Sequence, residues 1–447
     1  MLKQANVPVE SVIDLTTIPE QLTNTNHSFT HDIAIVGLGY VGLPTALAFV
    51  HAGRSVIGVD VSQARLGAIR ADHVDLVSRD HERLATAMAD GSLELSDDSD
   101  AIASAETVIV CVPTPVDHHL VPDLQLLAAA CEAVVQRAVA GQVIVLTSTT
   151  YVGTTRDLLV RPLEARGFRM GQDICVAFSP ERIDPGNTDV PQEDVARVVG
   201  GITPVCSGRA AQVISAYARR IHVVSSPEVA ELTKLFENSF RAVNIALVNE
   251  LADISRELQV EVMEVIEAAK TKPYGFMAFH PGSGVGGHCI PCDPHYLLWQ
   301  LKGSRRSAPL LEQAMASIAG RPRQVVERAR ELLAEGSKSL RGASVLVVGV
   351  SYKAGVADCR ESPALEILER LAAAGAEVGY TDAFVPELRL GDGTVQVALE
   401  AGPGGFVGDL VILNTVHPGV DHSWVVGHPL ILDATYRFDS APHRATL

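Results

Sequence analysis

Apolar runs that end in glycine or polar residues alternate with helical patterns over residues 31–225. The run DIAIVGLGYVG predicts a strand that ends in glycines, and LPTALAFVHAG continues it as a helix. RSVIGVD predicts a second strand that ends at Asp60, and later apolar runs predict strands at 107–113, 142–150 and 174–180. Strands that alternate with helices in this way predict a parallel, doubly wound sheet.

The middle of the chain carries a helical pattern from Pro227 to about Lys270, with no strand-like run inside it. Ser226 is its predicted N-cap, and Pro227 suits the first turn of a helix. A second helical stretch covers 310–335, and the alternation of strands and helices restarts in ASVLVVGVSYKAG, residues 343–355.

These patterns predict an α/β protein with two Rossmann-like, doubly wound domains joined by a helical middle domain with a long central helix. The expected bounds are 31–225 for the first domain, 226–335 for the helical domain and 336–447 for the last. Residues 1–30 are polar, carry two prolines and show little periodicity, so we expect a mobile N-terminal extension.

Composition and charge narrow the classes of function. The chain has 447 residues, more than one hydrophobic core usually supports. Its formal charge of −17 disfavours a nucleic-acid or anionic-membrane partner, since both need a basic surface. No uncharged apolar run reaches the roughly 18 residues of a membrane span, the N-terminus lacks a signal-peptide pattern, and the seven scattered cysteines are typical of reduced thiols. We expect a cytoplasmic protein that binds neither nucleic acid nor membrane.

Gly37, Gly39 and Gly42 form a GxGxxG turn between a predicted strand and a predicted helix. Glycines there permit the tight turn and the approach of backbone to a pyrophosphate, which the helix N-terminus attracts. Asp60 ends the next strand, where its carboxylate can accept hydrogen bonds from ribose hydroxyls and repel a 2′-phosphate. The pattern predicts NAD rather than NADP, although Arg65 lies near enough to weaken the preference. A glycine turn without a cofactor is the alternative.

The carboxyl ends of the strands in such a sheet face the ligand crevice. Polar residues and prolines stand at three predicted ends, in CVPTP, TSTT and SPER, although ordinary turn chemistry explains any one of them equally well. Besides the three glycines, Asp60 and Arg65, the residues predicted to contact the cofactor are Tyr40, Val41, Pro113, Thr114, Ser148 and Thr149.

Glu231, Lys234, Asn238 and Arg241 fall within an arc of about 80° on the predicted central helix. The pattern predicts apolar residues on the opposite side of the helix: Leu232, Leu235, Phe236, Phe240, Val243, Leu247 and Leu251. A polar stripe is usually a solvated face, and this interpretation suffices for Glu231 or Arg241 alone. Lys234 and Asn238, one turn apart, can instead donate hydrogen bonds to a developing oxyanion, and we favour this function.

The segment GSGVGGHCIPCDPHYL is predicted as a loop, the thiol loop of the helical domain, and places Cys289 between glycines and an acidic residue, Asp293. A thiolate there could attack a carbonyl carbon, and Lys234 could lower the thiol pKa if the fold brings the two together. His288 is a weaker candidate base. The segment could alternatively form a CxxC redox pair or bind zinc, but no second paired-ligand element follows, so we expect no metal. The possible zinc ligands are His280, His288, Cys289, Cys292 and His295.

Seven segments together resemble the UDP-sugar 6-dehydrogenases, the family of UDP-glucose and UDP-N-acetylhexosamine dehydrogenases. The resemblance spans residues 33–367 and implies the three-domain fold, NAD as cofactor and a UDP-sugar as substrate. The matching segments are IAIVGLGYVGLPTALAF, CVPTPVD, STTYVGTT, FSPERIDPGN, ELTKLFENSFRAVNIALVNELA, GVGGHCIPCDPHYL and GVSYKAGVADCRESPALEI.

The resemblance implies that Cys289 is the nucleophile, that Glu181 assists hydrolysis and that Thr149 holds a water or the cofactor. The groups that would bind or polarise the reacting oxygen are Lys234, Asn238 and Asp293. The residues it implies for substrate binding are Glu181, Arg182, Lys234, Asn238, Arg241, Gly286, Lys353 and Arg360. The helical middle would form a homodimer or a higher homo-oligomer, as in the family.

The implied reaction oxidises the C6 alcohol of a UDP-hexosamine to a carboxylate, with two NAD+ and one water. Cys289 captures the intermediate aldehyde as a thiohemiacetal, and the thioester formed by the second oxidation is hydrolysed. SPERIDPGN and TKPYGFMAFHPGSGVGGHCIP resemble the UDP-N-acetylglucosamine and UDP-N-acetylgalactosamine enzymes most, which make precursors of surface polysaccharides or glycoconjugates. UDP-glucose and UDP-N-acetylmannosamine dehydrogenases are alternatives within the family. A two-electron NAD alcohol dehydrogenase and a zinc or thiol redox protein are rivals outside it.

Overall fold

The computed structural model describes residues 27–74, 76, 78–182, 192–287, 289–400, 406–441 and 444–447, with the backbone alone at 78, 192 and 289. The chain divides into two compact units, with Phe236 the last residue of the first and Glu237 the first of the second. Residues 1–26 of the predicted extension lie outside the described residues, so its mobility stays a prediction.

The first unit is built on an eight-stranded sheet in the order β3-β2-β1-β4-β5-β6-β7-β8. Its strands are β1 (His31–Val36), β2 (Val56–Val59), β3 (Leu93–Ser96), β4 (Ala105–Val110), β5 (Val143–Leu146), β6 (Cys175–Phe178), β7 (Arg197–Gly201) and β8 (Ile221–Val224). Its helices are α1 (Gly42–His51), α2 (Gln63–Arg70), α3 (Ser78–Asp90), α4 (Gln125–Arg137), α5 (Arg161–Ala165) and α6 (Pro204–Ile214). Helix α7 (Pro227–Glu257) begins in this unit and ends in the second.

Side chains of β1 alternate between two cores, as those of a strand buried on both faces do. Ile33 and Ile35 pack with residues of α1, α3 and α6 on one face of the sheet. Ala34 and Val36 pack with residues of α4 and α5 on the other face. The sheet is therefore doubly wound as predicted. It is parallel from β3 to β6, but β7 pairs antiparallel with β6, which the sequence pattern did not predict.

The second unit combines the rest of α7 and three further helices with a five-stranded parallel sheet in the order β10-β9-β13-β14-β15. The helices are α8 (Val262–Lys270), α9 (Cys289–Gly303), α10 (Pro309–Glu335) and α11 (Pro363–Ala373). The strands are β9 (Ser344–Val348), β10 (Glu377–Thr381), β11 (Glu387–Arg389), β12 (Val395–Val397), β13 (Leu410–Leu413), β14 (Ile431–Asp433) and β15 (Ala445–Thr446). Strands β11 and β12 form a separate antiparallel pair.

Strand β9 also divides its side chains between two cores. Val345 and Val347 pack with α10 and α11, whereas Leu346 and Val348 pack beneath Val425 on the other face. The predicted fold class is confirmed: two α/β sheets are connected through a helical segment whose longest element is α7. None of the described helices is both long enough and apolar enough to cross a membrane.

Three local predictions differ from the structure. The helical pattern that follows Pro227 is interrupted between α7 and α8, where Gln259 adopts a left-handed φ of +57° that a continuous helix cannot accommodate. The segment predicted as a thiol loop is helical from Cys289 onward, as α9, with Pro294 inside the helix. The strands β4, β5 and β6 end two to four residues earlier than predicted, which leaves their polar and proline-rich ends in loops. The predicted domain bounds remain a prediction.

Candidate functional site

The glycine turn between β1 and α1 is packed too tightly for side chains at two of its three glycines. Gly37 has a φ of +91°, and a Cβ atom on it would lie 2.7 Å from the carbonyl oxygen of Cys111. A Cβ atom on Gly42 would lie 1.8 Å from the carbonyl oxygen of Gly37. The corresponding position on Gly39 has no described atom within 4 Å. The turn is therefore closed towards the sheet and open at Gly39, where a phosphate could approach the backbone.

Asp60, directly after β2, holds this turn through its carboxylate. Its Oδ2 accepts a hydrogen bond from the Leu38 N–H at 2.8 Å, and its Oδ1 accepts one from the Ser62 N–H at 2.9 Å. Arg65 donates from Nε to the Leu38 carbonyl oxygen at 2.8 Å. Arg65 and Asp60 thus both bind Leu38 within the turn, and their contacts with a cofactor stay a prediction. Tyr40 and Val41, also in the turn, are half-buried.

Ser148 joins the loops after β4 and β5. Its Oγ accepts a hydrogen bond from the Val112 N–H at 3.0 Å and donates one to the Val112 carbonyl oxygen at 2.8 Å. Of the other residues predicted at these ends, Thr114 is buried, Thr149 is half-buried and Pro113 is exposed. The loop that carries Thr149 therefore starts from a fixed point at the carboxyl edge of the sheet.

Glu181 forms an ion pair with Arg197, the first residue of β7, and the Arg197 side chain is 3% exposed. Glu181 Oε1 also accepts a hydrogen bond from the Arg182 N–H at 2.7 Å, while Arg182 Nη1 donates to the carbonyl oxygen of Ala196 at 2.6 Å. A cavity of about 360 Å³ borders the ion pair. Arg197 was missed by the sequence analysis, because only the antiparallel pairing of β7 with β6 brings it to this edge.

The polar stripe of α7 is not a solvated face. Glu231 is 1% exposed, Lys234 9% and Asn238 4%, whereas Arg241 is exposed. The apolar stripe is exposed instead, at Leu232, Phe236, Phe240 and Leu247, while Leu235 is fully buried. The solvated-face interpretation therefore holds for Arg241 alone, and the apolar side of α7 faces outward in the single chain.

Glu231 caps a helical turn in the loop that follows β5. Its Oε2 accepts a hydrogen bond from the Gly153 N–H at 2.6 Å, and its Oε1 accepts from the N–H and the hydroxyl of Thr155 at 2.9 and 2.7 Å. Burial raises the pKa of Glu231 above its usual value. A carboxylate at free N–H groups of a helix start is a stabilising arrangement. Glu231 therefore fastens the segment that follows Thr149 to α7, a role that the sequence analysis did not assign.

Asn238 and Asp293 meet in the second unit although 55 positions separate them. Asn238 Nδ2 donates a hydrogen bond to Asp293 Oδ2, and Asp293 is 1% exposed. Asp293 lies on α9 one turn after Cys289, whose backbone begins that helix. The pair therefore forms a buried polar group on the turn next to the predicted nucleophile. The Cys289 side chain lies outside the part of the chain that the structure describes.

The glycine loop, residues 282–287, precedes Cys289 and lies directly against the loop that follows β9. A Cβ atom on Gly286 would lie 2.6 Å from both the carbonyl oxygen of Glu361 and the Cβ of Tyr352. Gly287 has a φ of +79°, and its N–H donates to the carbonyl oxygen of Arg360 at 2.9 Å. Glycine is required at both positions, and the predicted substrate residue Gly286 serves here as a point of close backbone contact.

Lys353 and Arg360 lie in that same loop after β9. Lys353 is half-buried, and its carbonyl oxygen accepts a hydrogen bond from Ser351 Oγ at 3.2 Å. Arg360 is exposed, and its guanidinium binds both carboxylate oxygens of Asp358 at 2.6 to 3.0 Å. A diphosphate would therefore have to share or replace the carboxylate of Asp358 as the partner of Arg360.

Two other cysteines, Cys111 after β4 and Cys359 in the loop after β9, are poor nucleophiles. Burial raises the pKa of the Cys111 thiol to about 12 and that of the Cys359 thiol to about 11, so both stay protonated at neutral pH. Cys292 is buried. No three potential metal-binding side chains gather among the residues whose placement is described. Because His288 and the Cys289 side chain lie outside them, the zinc interpretation stays open to experiment.

Comparison with known proteins finds the same family in three consecutive parts of the chain. Residues 31–231 match the NAD binding domain of the UDP-glucose/GDP-mannose dehydrogenase family. Residues 228–317 match its central domain, and residues 346–440 match its UDP binding domain. These matches confirm the resemblance and the NAD cofactor that the sequence analysis predicted, whereas the roles of individual residues remain predictions.

Individual relatives differ in the sugar that their names specify. An NDP-N-acetyl-D-galactosaminuronic acid dehydrogenase of Ralstonia nicotianae is 35% identical over 347 residues, 76% of this chain and 79% of that protein. A UDP-N-acetyl-D-glucosamine 6-dehydrogenase of Pseudomonas aeruginosa is 33% identical over 359 residues, 79% of this chain and 83% of that protein. The structure of a UDP-D-ManNAc dehydrogenase from Pyrococcus horikoshii matches with a TM-score of 0.81 and 30% identity, covering 90% of this chain and 95% of that one.

The glycine turn yields a prediction that separates packing from cofactor binding. We expect Gly42→Ala to lower the melting temperature, because its Cβ would overlap the Gly37 carbonyl oxygen. Gly39→Ala should leave the melting temperature unchanged but weaken NAD+ binding at least about tenfold, since its methyl group points to open space where the pyrophosphate would lie. Thermal melts and calorimetric titration with NAD+ measure both effects. Unaltered NAD+ affinity in Gly39→Ala would contradict the placement of the pyrophosphate.

Proposed function

Since the chain belongs to the UDP-glucose/GDP-mannose dehydrogenase family and is an NAD-dependent UDP-sugar 6-dehydrogenase, we propose that its substrate is UDP-N-acetylglucosamine or UDP-N-acetylgalactosamine. The product would be the corresponding uronic acid, a precursor for surface polysaccharides or glycoconjugates. The observation that carries the proposed chemistry is the buried Asn238–Asp293 pair, one helical turn from Cys289.

The choice of sugar rests on two kinds of support. Among the relatives described above, two have names that specify glucosamine or galactosaminuronic acid derivatives. The segments SPERIDPGN and TKPYGFMAFHPGSGVGGHCIP also resemble the enzymes for those two sugars most. The Pyrococcus horikoshii structure keeps UDP-N-acetylmannosamine as an alternative, and UDP-glucose is a further one.

Two NAD+ molecules, bound one after the other at the glycine turn, would each accept one of the two hydrides that leave C6. Gly39 would admit the pyrophosphate and Asp60 would accept hydrogen bonds from the adenosine ribose, in keeping with the open side of the turn. Ser148 holds the adjoining strand ends together. Thr149 lies on the loop that follows, in reach of the carboxyl edge of the sheet where ligands bind.

Cys289 would add to the aldehyde carbon, which retains the intermediate and gives a thiohemiacetal that can lose a second hydride. Lys234 and Asn238 would stabilise the negative charge on oxygen, at roughly 3–4 kcal/mol for each well-placed donor. Asp293 accepts a hydrogen bond from one N–H of the Asn238 amide. The other N–H of that amide would donate to the reacting oxygen. Glu181, held by Arg197, would orient the water that hydrolyses the thioester.

Two rival functions predict different measurable outcomes. A two-electron NAD alcohol dehydrogenase with a structural cysteine would release one NADH per substrate molecule. A zinc or thiol redox protein would lose activity with chelators or depend on both cysteines of the CIPC segment.

A panel of nucleotide sugars tests the substrate directly. We expect kcat/KM for UDP-N-acetylglucosamine or UDP-N-acetylgalactosamine to exceed that for UDP-glucose and UDP-N-acetylmannosamine at least about tenfold, because UDP-glucose lacks the acetamido group and UDP-N-acetylmannosamine carries it in the opposite configuration at C2. Two NADH should form per uronic acid, identified by mass spectrometry. A preference for UDP-N-acetylmannosamine would show that the assigned epimer is wrong, and one NADH per substrate would favour the two-electron rival.

The two cysteines of the CIPC segment should behave differently. We expect Cys289→Ser to abolish turnover, because serine is a far weaker nucleophile at neutral pH. Cys292→Ser should keep most of the activity, since a buried thiol and a hydroxyl occupy similar volumes, and chelators should have no effect. Comparable losses in both variants, or inactivation by a chelator, would support the dithiol or zinc interpretation instead.

A second copy of this chain is the proposed occupant of the exposed apolar face of α7. Seven apolar residues that are at least 42% exposed, six on α7 and Leu258 directly after it, fall within about 80° of arc, and none of Glu231, Lys234, Asn238 and Arg241 lies in that arc. Such a stripe on a long helix is typical of a helix–helix interface between subunits. Its members are Val229, Leu232, Phe236, Phe240, Leu247, Ile254 and Leu258. We propose a homodimer, in the cytoplasm, where its free thiols would stay reduced.

The oligomeric state tests this surface. We expect Phe236→Asp combined with Phe240→Asp to convert the dimer into a monomer, because two charges would be buried in the apolar interface. Light scattering during gel filtration measures the mass. Val395→Asp, which changes an exposed apolar residue on the β11–β12 pair, is the control and should remain dimeric. A monomeric unmodified protein, or an unchanged mass in the double variant, would contradict the proposal.

A further inference from the structure

Arg321 has the largest fully buried side chain among the described residues, at 1% exposure. It lies on α10, outside every segment that the family resemblance singles out. Its Nε donates to the carbonyl oxygen of Gly282 at 3.0 Å, and its Nη1 binds Asp253 Oδ1 at 2.6 Å and Gln324 Oε1 at 2.8 Å. Its Nη2 donates to Tyr436 Oη at 2.9 Å. One guanidinium therefore bridges α7, α10, the glycine loop and the loop after β14.

Arg321 is one of two side chains that hold the backbone of Gly282. We call Arg321 and Asn249 together the Gly282 clamp. The N–H of Gly282 donates to Oδ1 of Asn249 on α7 at 3.0 Å, and Asn249 is 3% exposed. Both backbone polar groups of Gly282 are thus bound by buried side chains from two different helices. A peptide held at its N–H and its C=O has a fixed direction, so the clamp fixes the course of the chain as it enters the glycine loop.

Two further hydrogen bonds hold the glycine loop, one from Ser283 near its start and one from Gly287 at its end. Ser283 Oγ donates to Asn414 Oδ1 at 2.6 Å, and the Gly287 N–H donates to the carbonyl oxygen of Arg360. Gly284 and Gly287 have positive φ values, a backbone conformation that glycine both adopts and leaves readily. These hydrogen bonds, together with the close contact of Gly286 with Glu361 and Tyr352, hold a loop of this composition in one conformation. Cys289 follows the last glycine of the loop by two residues.

We propose that Arg321 is a positioning residue for the proposed nucleophile: by clamping Gly282 together with Asn249, it sets the path of the glycine loop and hence the place of Cys289. This inference rests on the proposed role of Cys289. Stability alone is a poor explanation for the arrangement, because burying a guanidinium against a partly exposed carboxylate contributes little net stability compared with apolar residues of the same volume. Arg321 also uses three separate nitrogens in three directions, a geometry that the single ammonium of lysine cannot reproduce.

The experiment compares Arg321→Lys, Asn249→Ala and Arg323→Met with the unmodified enzyme. Arg323 lies two residues further on the same helix and its side chain is 63% exposed, so its substitution is the matched control. Four quantities are measured: the melting temperature, kcat at saturating substrates, KM for NAD+, and the pH profile of iodoacetamide alkylation at Cys289, read from peptide masses. Alkylation requires neither substrate nor turnover, so it reports on the thiol even if the proposed reaction is wrong.

Arg321→Lys keeps a cation beside Asp253 and should melt within a few degrees of the unmodified enzyme. We expect its kcat to fall about 10- to 100-fold, the loss typical of a reacting group displaced by about 1 Å, and its alkylation profile to shift along the pH axis. Asn249→Ala should change kcat and the profile in the same direction. KM for NAD+ should stay within about twofold in both, because the glycine turn lies in the other unit, and Arg323→Met should change nothing.

Unaltered kcat and alkylation profiles in both clamp variants would overturn the proposal. So would a loss of activity that only follows the fraction of unfolded protein, because a purely structural role predicts that result. If Arg321→Lys does not fold, Asn249→Ala alone decides between these outcomes. Full turnover in Cys289→Ser would refute the proposed function separately, and the alkylation profile would still show whether the clamp holds the loop.

Discussion

The backbone of Gly286 lies so close to the loop after β9 that a single methyl group on it would lie 2.6 Å from a carbonyl oxygen. Most of the proposed chemistry in the second unit depends on this contact. It joins the chain that leads to Cys289 directly to the loop that carries Lys353 and Arg360, within the segment that matches a UDP binding domain. A side chain at Gly286 would separate the proposed nucleophile from the residues proposed to bind the nucleotide.

Helix α7 applies a second constraint, because it supplies buried polar groups to both units. Glu231 binds the loop after β5 in the first unit, and Asn238 binds Asp293 in the second. Lys234 lies between them on the same side of the helix. Buried polar residues therefore occupy a stripe of the helix where an ordinary amphipathic helix carries solvated ones. Its outward apolar stripe then remains available for another subunit.

Pattern analysis predicted the alternation of strands and helices, the glycine turn and the long central helix, because each depends on residues that are neighbours along the chain. It did not predict the cap that Glu231 forms, the partner of Glu181 at Arg197 or the clamp around Gly282. These contacts join residues that are 16 to 78 positions apart, and no local periodicity encodes such pairings. The start of α9 at Cys289 was also missed, because glycines before it and prolines within it are typical of a loop.

The most direct test of the account is the mass of the enzyme during a single turnover by Glu181→Gln. The glutamine amide oxygen can still accept a hydrogen bond from Arg197, so this variant should fold, but it cannot hold water as a carboxylate does. With enzyme in excess over the UDP-sugar, we expect a burst of NADH and a uronyl thioester attached to the peptide that contains Cys289. Oxidation at the unmodified rate with no adduct on that peptide would contradict the covalent route.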